Sequence, residues 1–332
     1  MAKAVSPMVG LSKGDRDAML RAAVLAPSMH NTQPWRFRFH DWVVEVFRDR
    51  ERELPAEDPD RRMLYLSLGA AIFNLRVEAA ARGYGSEVRC PMDQSRPDLV
   101  AVIELGGPRS GQLQLLAPYV IHRRTNRRPF TDERVPAEVR AELGLSARIE
   151  GAELRWLDGP DRRWWLRMAT KDAVAADDQD ATKTAERRRW VGGDRAVDGV
   201  PSSALGPKAA DGAAVVRELA ATEADAARPV ASFEHEPQFA VLTTRYDGPI
   251  DWLRAGQALE RVLLEATAHG VSTSLLNQVI EHEDLRRQID DPLGPWTRPQ
   301  AVIRFGYGPT VPPTPRRLLA DVVMSGDPTD DR

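Results

Sequence analysis

The segment APSMHNTQPWRF, residues 26–37, concentrates short hydrogen-bonding side chains in a stretch that suits neither a helix nor a strand. It follows a pattern typical of an amphipathic helix and precedes an alternating pattern typical of strands. Pro27 and Pro34 fix the backbone φ near its two ends, so we expect a stiff loop. A rigid loop of this composition could hold a polar ligand in one orientation.

The side chains of this loop match the edge of a flat heteroaromatic ring. Ser28, Asn31 and Gln33 offer both donors and acceptors, as a ring edge with mixed imide groups would require. Met29 supplies a soft apolar surface that could lie against such a ring. Alternatively, these polar groups only satisfy the backbone of the loop. The loop by itself leaves both interpretations open.

A second group of candidate site residues is the basic segment HRRTNRRPF, residues 122–130. Its arginines would repel one another unless they are solvated or face an anion. Arg123, Thr125 and Arg127 could bind a phosphate monoester, because guanidinium groups match its oxygens and the hydroxyl adds a donor. The alternative is an exposed basic turn.

A third basic group follows a proline-rich stretch near the C-terminus, where Arg316 and Arg317 are adjacent. Two basic groups and one polar loop of ring size together fit a flat heterocycle that carries a phosphate. FMN is a ligand of this class.

The composition excludes several function classes. The chain has 332 residues and a net charge of −3, which argues against a nucleic-acid partner held mainly by phosphate contacts. Cys90 is the only cysteine, so an internal disulfide and a cysteine-rich metal site are excluded. The start of the sequence lacks the apolar run of a signal peptide or membrane span. We therefore expect a globular, cytoplasmic protein with no membrane or nucleic-acid partner.

Two distant segments resemble each other closely. GAAIFNLRVEAAARG, residues 69–83, and GQALERVLLEATAHG, residues 256–270, share the pattern G-x-A-[IL]-x4-[VL]-E-A-x-A-x-G. Both have apolar residues at helical spacing and end at a glycine typical of a helix C-terminus. Downstream, AVIELG at 101–106 and AVIRFG at 301–306 are typical of strands. A helix followed by a strand thus occurs twice, which favours a duplication packed about a pseudo-twofold axis.

The remaining patterns are typical of an α+β fold. Helices are predicted over residues 15–25, 136–143, 159–176 and 251–269, strands over 152–157 and 238–244, and two further strands between 35 and 48 that turn near His40 and Asp41. Residues 191–237 are rich in Gly, Pro, Ser, Ala and Asp and are too long for an ordinary connection. They are either disordered or folded over another part of the protein.

These motifs resemble those of the nitroreductase-like flavin proteins. The loop is similar to the family's PSxxNxQPW signature, and RRTNRRPFTDERVP, residues 123–136, is similar to its RRSxRxF motif. Residues 255–322 resemble the family's C-terminal half. In ordinary members the arginine motif comes first, whereas here the order is reversed and each half carries one motif. Nearly the whole chain resembles the Acg branch from actinobacteria.

The resemblance implies a nitroreductase-like α+β fold in which two halves form an intramolecular pseudo-dimer. The first half would be residues 1–110, with the loop, and the second 111–332, with the arginine motif, the C-terminal basic pair and a lid-like insertion at 191–237. Family homodimers build each of two FMN sites from both subunits. Two fused halves with complementary motifs would keep one FMN site, and we expect a monomer.

The resemblance also implies which residues contact FMN. The loop would line the isoalloxazine ring and ribityl chain through Pro27, Ser28, Met29, Asn31 and Gln33. The basic segment would bind the ribityl chain, the phosphate and the pyrimidine edge through Arg123, Thr125 and Arg127. The C-terminal pair, Arg316 and Arg317, would complete the phosphate clamp. The backbone at Leu275, Leu276 and Asn277 would lie beside the flavin N5, where family members often have an acidic residue or glycine. No catalytic side chain and no metal ligand is predicted.

The sequence leaves two functions open. The first is an FMN-dependent oxidoreductase, in which NAD(P)H passes a hydride to N5 and a nitroaromatic or quinone acceptor takes it off again. The second is an FMN-binding or FMN-sequestering protein with little turnover, because the insertion could cover the flavin face on which nicotinamide must stack.

Overall fold

Two four-stranded antiparallel sheets and two long central helices form the framework of the protein. The computed structural model describes residues 10–91, 93, 95–107, 111–210, 219, 225, 227–293 and 297–324. The helices are α1 (Lys13–Ala23), α2 (Arg62–Ala81), α3 (Gly111–Gln114), α4 (Ala117–Val120), α5 (Ala137–Ile149), α6 (Pro160–Gln179), α7 (Ala181–Trp190), α8 (Pro249–Ala268), α9 (Gln278–Glu281), α10 (Glu283–Leu293) and α11 (Leu319–Val322). The strands are β1 (Trp35–His40), β2 (Val43–Arg48), β3 (Ser86–Arg89), β4 (Leu99–Leu105), β5 (Glu153–Trp156), β6 (Lys208–Ala209), β7 (Val230–Ala231), β8 (Gln238–Thr244), β9 (Ser272–Leu275) and β10 (Arg298–Gly306).

The two large sheets have the same topology. Their strand orders are β1-β2-β4-β3 and β5-β8-β10-β9, and every pairing within them is antiparallel. When the strands of each sheet are counted along the chain, the fourth strand lies between the second and the third. In each sheet, one long helix (α2 or α8) connects the second strand to the third. The repeat in the sequence is therefore also a repeat of topology. The boundary near residue 110 stays a prediction.

The two halves differ at the connection between their first two strands. In the first half, β1 and β2 are joined by a two-residue turn at Asp41 and Trp42, with Asp41 at a φ of 47°. In the second half, the equivalent connection from β5 to β8 contains α6, α7 and the small parallel pair β6–β7. The predicted insertion at 191–237 lies within this connection.

The helices α2 and α8 cross at the first glycine of each sequence repeat. A Cβ at Gly69 would lie 2.1 Å from the carbonyl oxygen of Leu253 and 2.9 Å from Cα of Gly256. A Cβ at Gly256 would lie 2.1 Å from the carbonyl oxygen of Leu66. Equivalent positions of the two repeats thus touch each other through matching contacts, and only glycine permits so close an approach.

Local side chains fix where the first two long helices begin. The Ser12 hydroxyl caps α1 by accepting from the Asp15 amide at 3.1 Å. The Asp58 carboxylate accepts from the amides of Met63 and Leu64 at 3.0 and 2.8 Å, in the first turn of α2. Among the described helices, α2 has the length and hydropathy of a membrane span, and 83% of its apolar window is buried inside the protein.

Most predicted elements lie close to observed ones. The helices α1, α6 and α8, the strands β5 and β8 and the β1–β2 turn agree with the sequence patterns within a few residues. The helix predicted over 136–143 is too short, because α5 continues through Gly144 to Ile149. The patterns also failed to predict α7, β3 and β9, which are short elements with weak periodicity.

Candidate cofactor site

A cavity between the two halves brings most of the predicted site residues together. The predicted residues that line it are Pro27, Ser28, Met29, Asn31, Arg123, Thr125, Arg127, Leu275, Asn277 and Arg316. The loop of residues 26–37 comes from the first half, whereas the basic segment at 122–130 precedes α5 of the second. The cavity is therefore composite, as a site shared by two subunits would be.

Three predicted residues, Gln33, Leu276 and Arg317, are not among the residues that line this cavity. Gln33 is fully buried, and its side chain donates to the Val197 carbonyl at 3.0 Å and accepts from the Arg317 amide at 2.9 Å. The Arg317 guanidinium pairs with Asp49 at 3.0 Å. Leu276 belongs to a separate apolar cluster. All three are buried in contacts outside the cavity lining.

The loop of residues 26–37 has an unusual backbone. His30, Asn31 and Gln33 have φ values of 48°, 55° and 53°, in the left-handed region that residues other than glycine adopt at a cost of about 1–3 kcal/mol each. The Ser28 hydroxyl accepts from the Gln33 amide at 2.9 Å, and Thr32 donates to the Met29 carbonyl at 3.0 Å. These contacts hold the strained turn, and with it the cavity wall, in one conformation.

The histidine within the loop, His30, belongs to a buried ionic group that sequence reasoning missed. Its Nε2 pairs with Glu57 Oε2, and Glu57 Oε1 accepts from Arg187 Nε at 2.8 Å. Because Arg187 lies in α7, this group ties the cavity wall to the helix that precedes the insertion. His30 lies 27 residues from Glu57, so no local sequence pattern signals the contact.

The most buried cation of the basic segment is Arg123, which is 3% exposed. Its Nη2 donates to the Leu25 carbonyl at 3.0 Å, and its Nε lies 3.2 Å from Glu260 Oε1. Its Nη1 has no hydrogen-bond partner among the residues that the structure describes. Beside it, burial and the charge of Arg123 lower the pKa of Arg124.

Arg316 brings a third cation to this side of the cavity. Its Nη1 donates to Asn31 Oδ1 at 3.0 Å and to Thr314 Oγ1 at 2.6 Å, and its Nη2 donates to the Leu25 carbonyl at 3.1 Å. Burial, reinforced by the positive charges of Arg123 and Arg124, lowers the pKa of Arg316 to about 9. Three mutually repelling guanidinium groups with one unpartnered Nη1 fit a bound anion such as a phosphate.

Described residues of the 191–237 segment pack directly onto the cavity. The Gly199 carbonyl accepts from Asn31 Nδ2 at 2.9 Å, and the Ala204 carbonyl accepts from Arg127 Nη1 at 3.1 Å. Gly206 has a φ of 75°, and a Cβ there would lie 2.4 Å from the Arg127 carbonyl oxygen. Val200, Ser203 and Leu219 also line the cavity. These residues of the segment therefore form part of the cavity wall.

Solved structures that align with the chain are distant from it. A nitroreductase with bound FMN from Bacteroides fragilis aligns with 64% of this chain and 98% of its own, at 12% identity and a TM-score of 0.41. A nitroreductase with bound FMN from Desulfitobacterium hafniense aligns with 64% of this chain and 98% of its own, at 12% identity and a TM-score of 0.40. No protein-family model matches the chain.

Sequence relatives are closer and cover nearly the whole chain. The Mycobacterium tuberculosis protein named "Putative NAD(P)H nitroreductase Rv3131" is 31% identical over 312 residues, which are 92% of this chain and 90% of that protein. "Putative NAD(P)H nitroreductase acg" of the same organism is 30% identical over 91% of this chain and 93% of its own. This confirms the resemblance seen in the motifs: the chain belongs to the nitroreductase family that includes Acg and Rv3131.

Proposed function

We propose that the protein binds FMN in the composite cavity and uses it as an NAD(P)H-dependent, nitroreductase-like oxidoreductase. The observation that carries this proposal is the meeting of the strained polar loop with the guanidinium groups of Arg123, Arg124 and Arg316 in one cavity. When bound, FMN would supply hydride transfer between NAD(P)H and a nitroaromatic or quinone acceptor.

Different residues of the cavity would contact different parts of FMN. Met29, Leu66 and Leu275 would provide the apolar surface against which the ring lies. Arg123 and Arg124 would bind the phosphate through charge-assisted hydrogen bonds. Arg316 would act mainly through the loop, because both of its terminal nitrogens already bond to groups there. The residues therefore bind and orient the cofactor, and none is assigned to proton transfer.

We predict that the purified chain binds about one FMN and is a monomer. The loop at 26–37 and the arginine motif each occur once in the sequence, so one chain would build one site that combines them. Size-exclusion chromatography with light scattering and flavin absorbance measures the mass and the stoichiometry in one run. Two FMN per chain, or a stable dimer, would contradict a single composite site within one chain. No FMN binding at all would contradict the proposed function.

A second function, FMN storage with little turnover, is favoured by the way the 191–237 segment covers the cavity. The segment contacts both motifs, at Asn31 and at Arg127. Hydride transfer requires nicotinamide stacked at about 3–3.5 Å from the flavin, which leaves no room for an intervening loop. A segment that stays closed over the ring would let FMN bind and keep NAD(P)H away.

We predict that dithionite, a small reductant, bleaches the bound flavin much faster than NAD(P)H if the segment stays closed. Gly206→Ala should then raise the NAD(P)H bleaching rate and retain FMN, because its Cβ would collide with the Arg127 carbonyl and displace the segment. Gly193→Ala is the matched control, since Gly193 also has a positive φ, 71°, but no atom within 4 Å of the new Cβ. Stopped-flow absorbance measures all the rates.

The outcomes separate the two functions. Rapid NAD(P)H bleaching of the unaltered protein would favour the reductase and show that the segment opens readily. Slow bleaching that Gly206→Ala relieves would favour storage. Equal rates in the Gly206 and Gly193 variants would mean that the contact at Arg127 does not control access.

A further inference from the structure

A carboxylate lies in the protein interior next to the candidate phosphate site. Glu260, in α8, has no exposed surface, and its Oε1 is 3.2 Å from Arg123 Nε. Asn74 of α2 and Arg316 of the C-terminal segment also face it. Arg123 and Arg316 are thus the charged groups next to this carboxylate, and both line the cavity.

The sequence repeat shows that the fold does not need a carboxylate at this position. Glu260 is the fifth residue of the repeat that begins at Gly256, and the fifth residue of the repeat that begins at Gly69 is Phe73. Phe73 is also fully buried. Burying a carboxylate is costly unless a partner compensates it. The first half has phenylalanine at this position and no arginine motif, whereas the second half has both the glutamate and Arg123. The buried carboxylate therefore occurs in the half that has the arginine motif.

The balance of charges around Glu260 and Arg123 changes when a phosphate binds in the cavity. Among the described residues, Glu260 is the carboxylate next to Arg123 and Arg316, and the phosphate of FMN adds nearly two negative charges above its second pKa of about 6. A dianion that pairs with Arg123 competes with Glu260 for the same guanidinium. Its negative charge also disfavours the ionised form of the carboxylate.

We propose that Glu260 is the proton-linked counterion of the phosphate site: it holds Arg123 in place in the free protein and takes up a proton when the phosphate of FMN binds. This inference rests on the proposed binding of FMN. Glu260 is a positioning residue, since it acts on the ligand through Arg123. Burial, which outweighs the opposing charges of Arg123 and Arg316 and the nearby Asn74 amide, already raises the pKa of Glu260 to about 7 in the free protein.

The first test is the pH dependence of FMN affinity, measured by flavin fluorescence on apoprotein from about pH 6.5 to 8, which stays below the pKa of about 9 of Arg316. For the unaltered chain, the dissociation constant should rise above pH 7, by up to about tenfold per pH unit, the limit for one linked proton. Glu260→Gln should remove this dependence and bind FMN more tightly than the unaltered chain near pH 8. Glu265→Gln, a change of the same type on the same helix but outside the cavity lining, should keep the dependence.

The second test needs no variant. Calorimetric titration in two buffers of different ionisation enthalpy counts the protons exchanged on binding. Near pH 7.5 the free phosphate is already mostly a dianion and Arg316, with a pKa of about 9, is already protonated, so uptake is assigned to Glu260. FMN should take up a measurable fraction of a proton, and riboflavin, which lacks the phosphate, should take up none.

The outcomes distinguish this inference from the proposed function. FMN binding without proton uptake, or an equal pH dependence in Glu260→Gln, would overturn the role of Glu260 and leave the cofactor site intact. Failure of FMN to bind at every pH would overturn both.

Discussion

Gly256→Ala is expected to destabilise the protein severely, by about 3 kcal/mol or more, which is the upper range for overpacking a core. The new Cβ would lie 2.1 Å from the Leu66 carbonyl oxygen, and a clash with backbone cannot be relieved by a side-chain rotamer. The helices α2 and α8 would have to separate along the interface that joins the two halves. Since proteins of ordinary stability unfold at a cost of only about 5–15 kcal/mol, a large fraction of the total would be lost.

Urea unfolding followed by tryptophan fluorescence measures this loss. Gly144→Ala is the matched control, because Gly144 lies inside the helix α5 and a Cβ there meets no atom within 4 Å. Alanine is favoured over glycine in a helix interior by about 0.5–1 kcal/mol, so this variant should be unchanged or more stable. Similar losses in the two variants would contradict the close helix contact as the cause.

Arg123→Ala is expected to weaken FMN binding about ten- to a hundredfold, the cost of one lost charge-assisted contact of roughly 1.5–3 kcal/mol. Riboflavin, which lacks the phosphate, should lose much less affinity. Fluorescence titration with both ligands measures the difference. Arg148→Ala, at an exposed position of α5, is the control and should bind both ligands normally. Equal losses for FMN and riboflavin would mean that Arg123 supports the cavity wall without contacting phosphate.

Arg123→Ala should also change how the free energy of unfolding depends on pH. The pKa of Glu260 is raised to about 7 in the folded protein, against about 4.3 in an unfolded chain. Between these two pH values the carboxyl is protonated in the folded state and ionised in the unfolded chain. The free energy of unfolding therefore falls as the pH rises from about 4.3 to about 7. Without Arg123, which lowers the pKa, this pH range extends above 7. Arg123→Ala should therefore lose more stability, relative to the unaltered chain, near pH 8.5 than near pH 6.

The sequence predicted the framework well because its signals are local and repeated. The glycine-bounded repeats at 69–83 and 256–270 form the C-terminal parts of α2 and α8 and end two residues beyond them. The apolar runs at 101–106 and 301–306 lie in or at the ends of β4 and β10. Helical spacing and strand alternation depend on neighbours along the chain. The sequence also predicted which residues meet at the cavity, since ten of the thirteen predicted site residues line it.

The direction of individual side chains could not be predicted in the same way. Leu275 and Asn277 line the cavity, whereas Leu276 packs in a different cluster, because successive side chains of extended backbone point to opposite faces. The adjacent arginines 316 and 317 differ for a similar reason, and only the first reaches the cavity. A motif gives residue types, and which of two neighbours faces a ligand depends on the tertiary packing.

The least predictable features are contacts between residues far apart in the sequence. The group of His30, Glu57 and Arg187 spans 157 positions, from the loop at 30 to α7 at 187, and no periodicity signals it. The pairing of Arg123 with Glu260 is of the same kind. Each carries a buried charge whose energetic cost is compensated only by a partner that the fold supplies.

The contact between Gly69 and Gly256 has a genetic consequence. In a symmetric dimer, helices that cross on the twofold axis bring a residue of one subunit against the same residue of the other subunit. A single codon then encodes both residues of the contact. In this chain two codons encode the contact, and a mutation in either one introduces the same clash. The fused chain therefore has twice as many ways to lose the crossing by mutation. The two sides can also differ, as they do four residues further on, where phenylalanine occupies one repeat and glutamate the other.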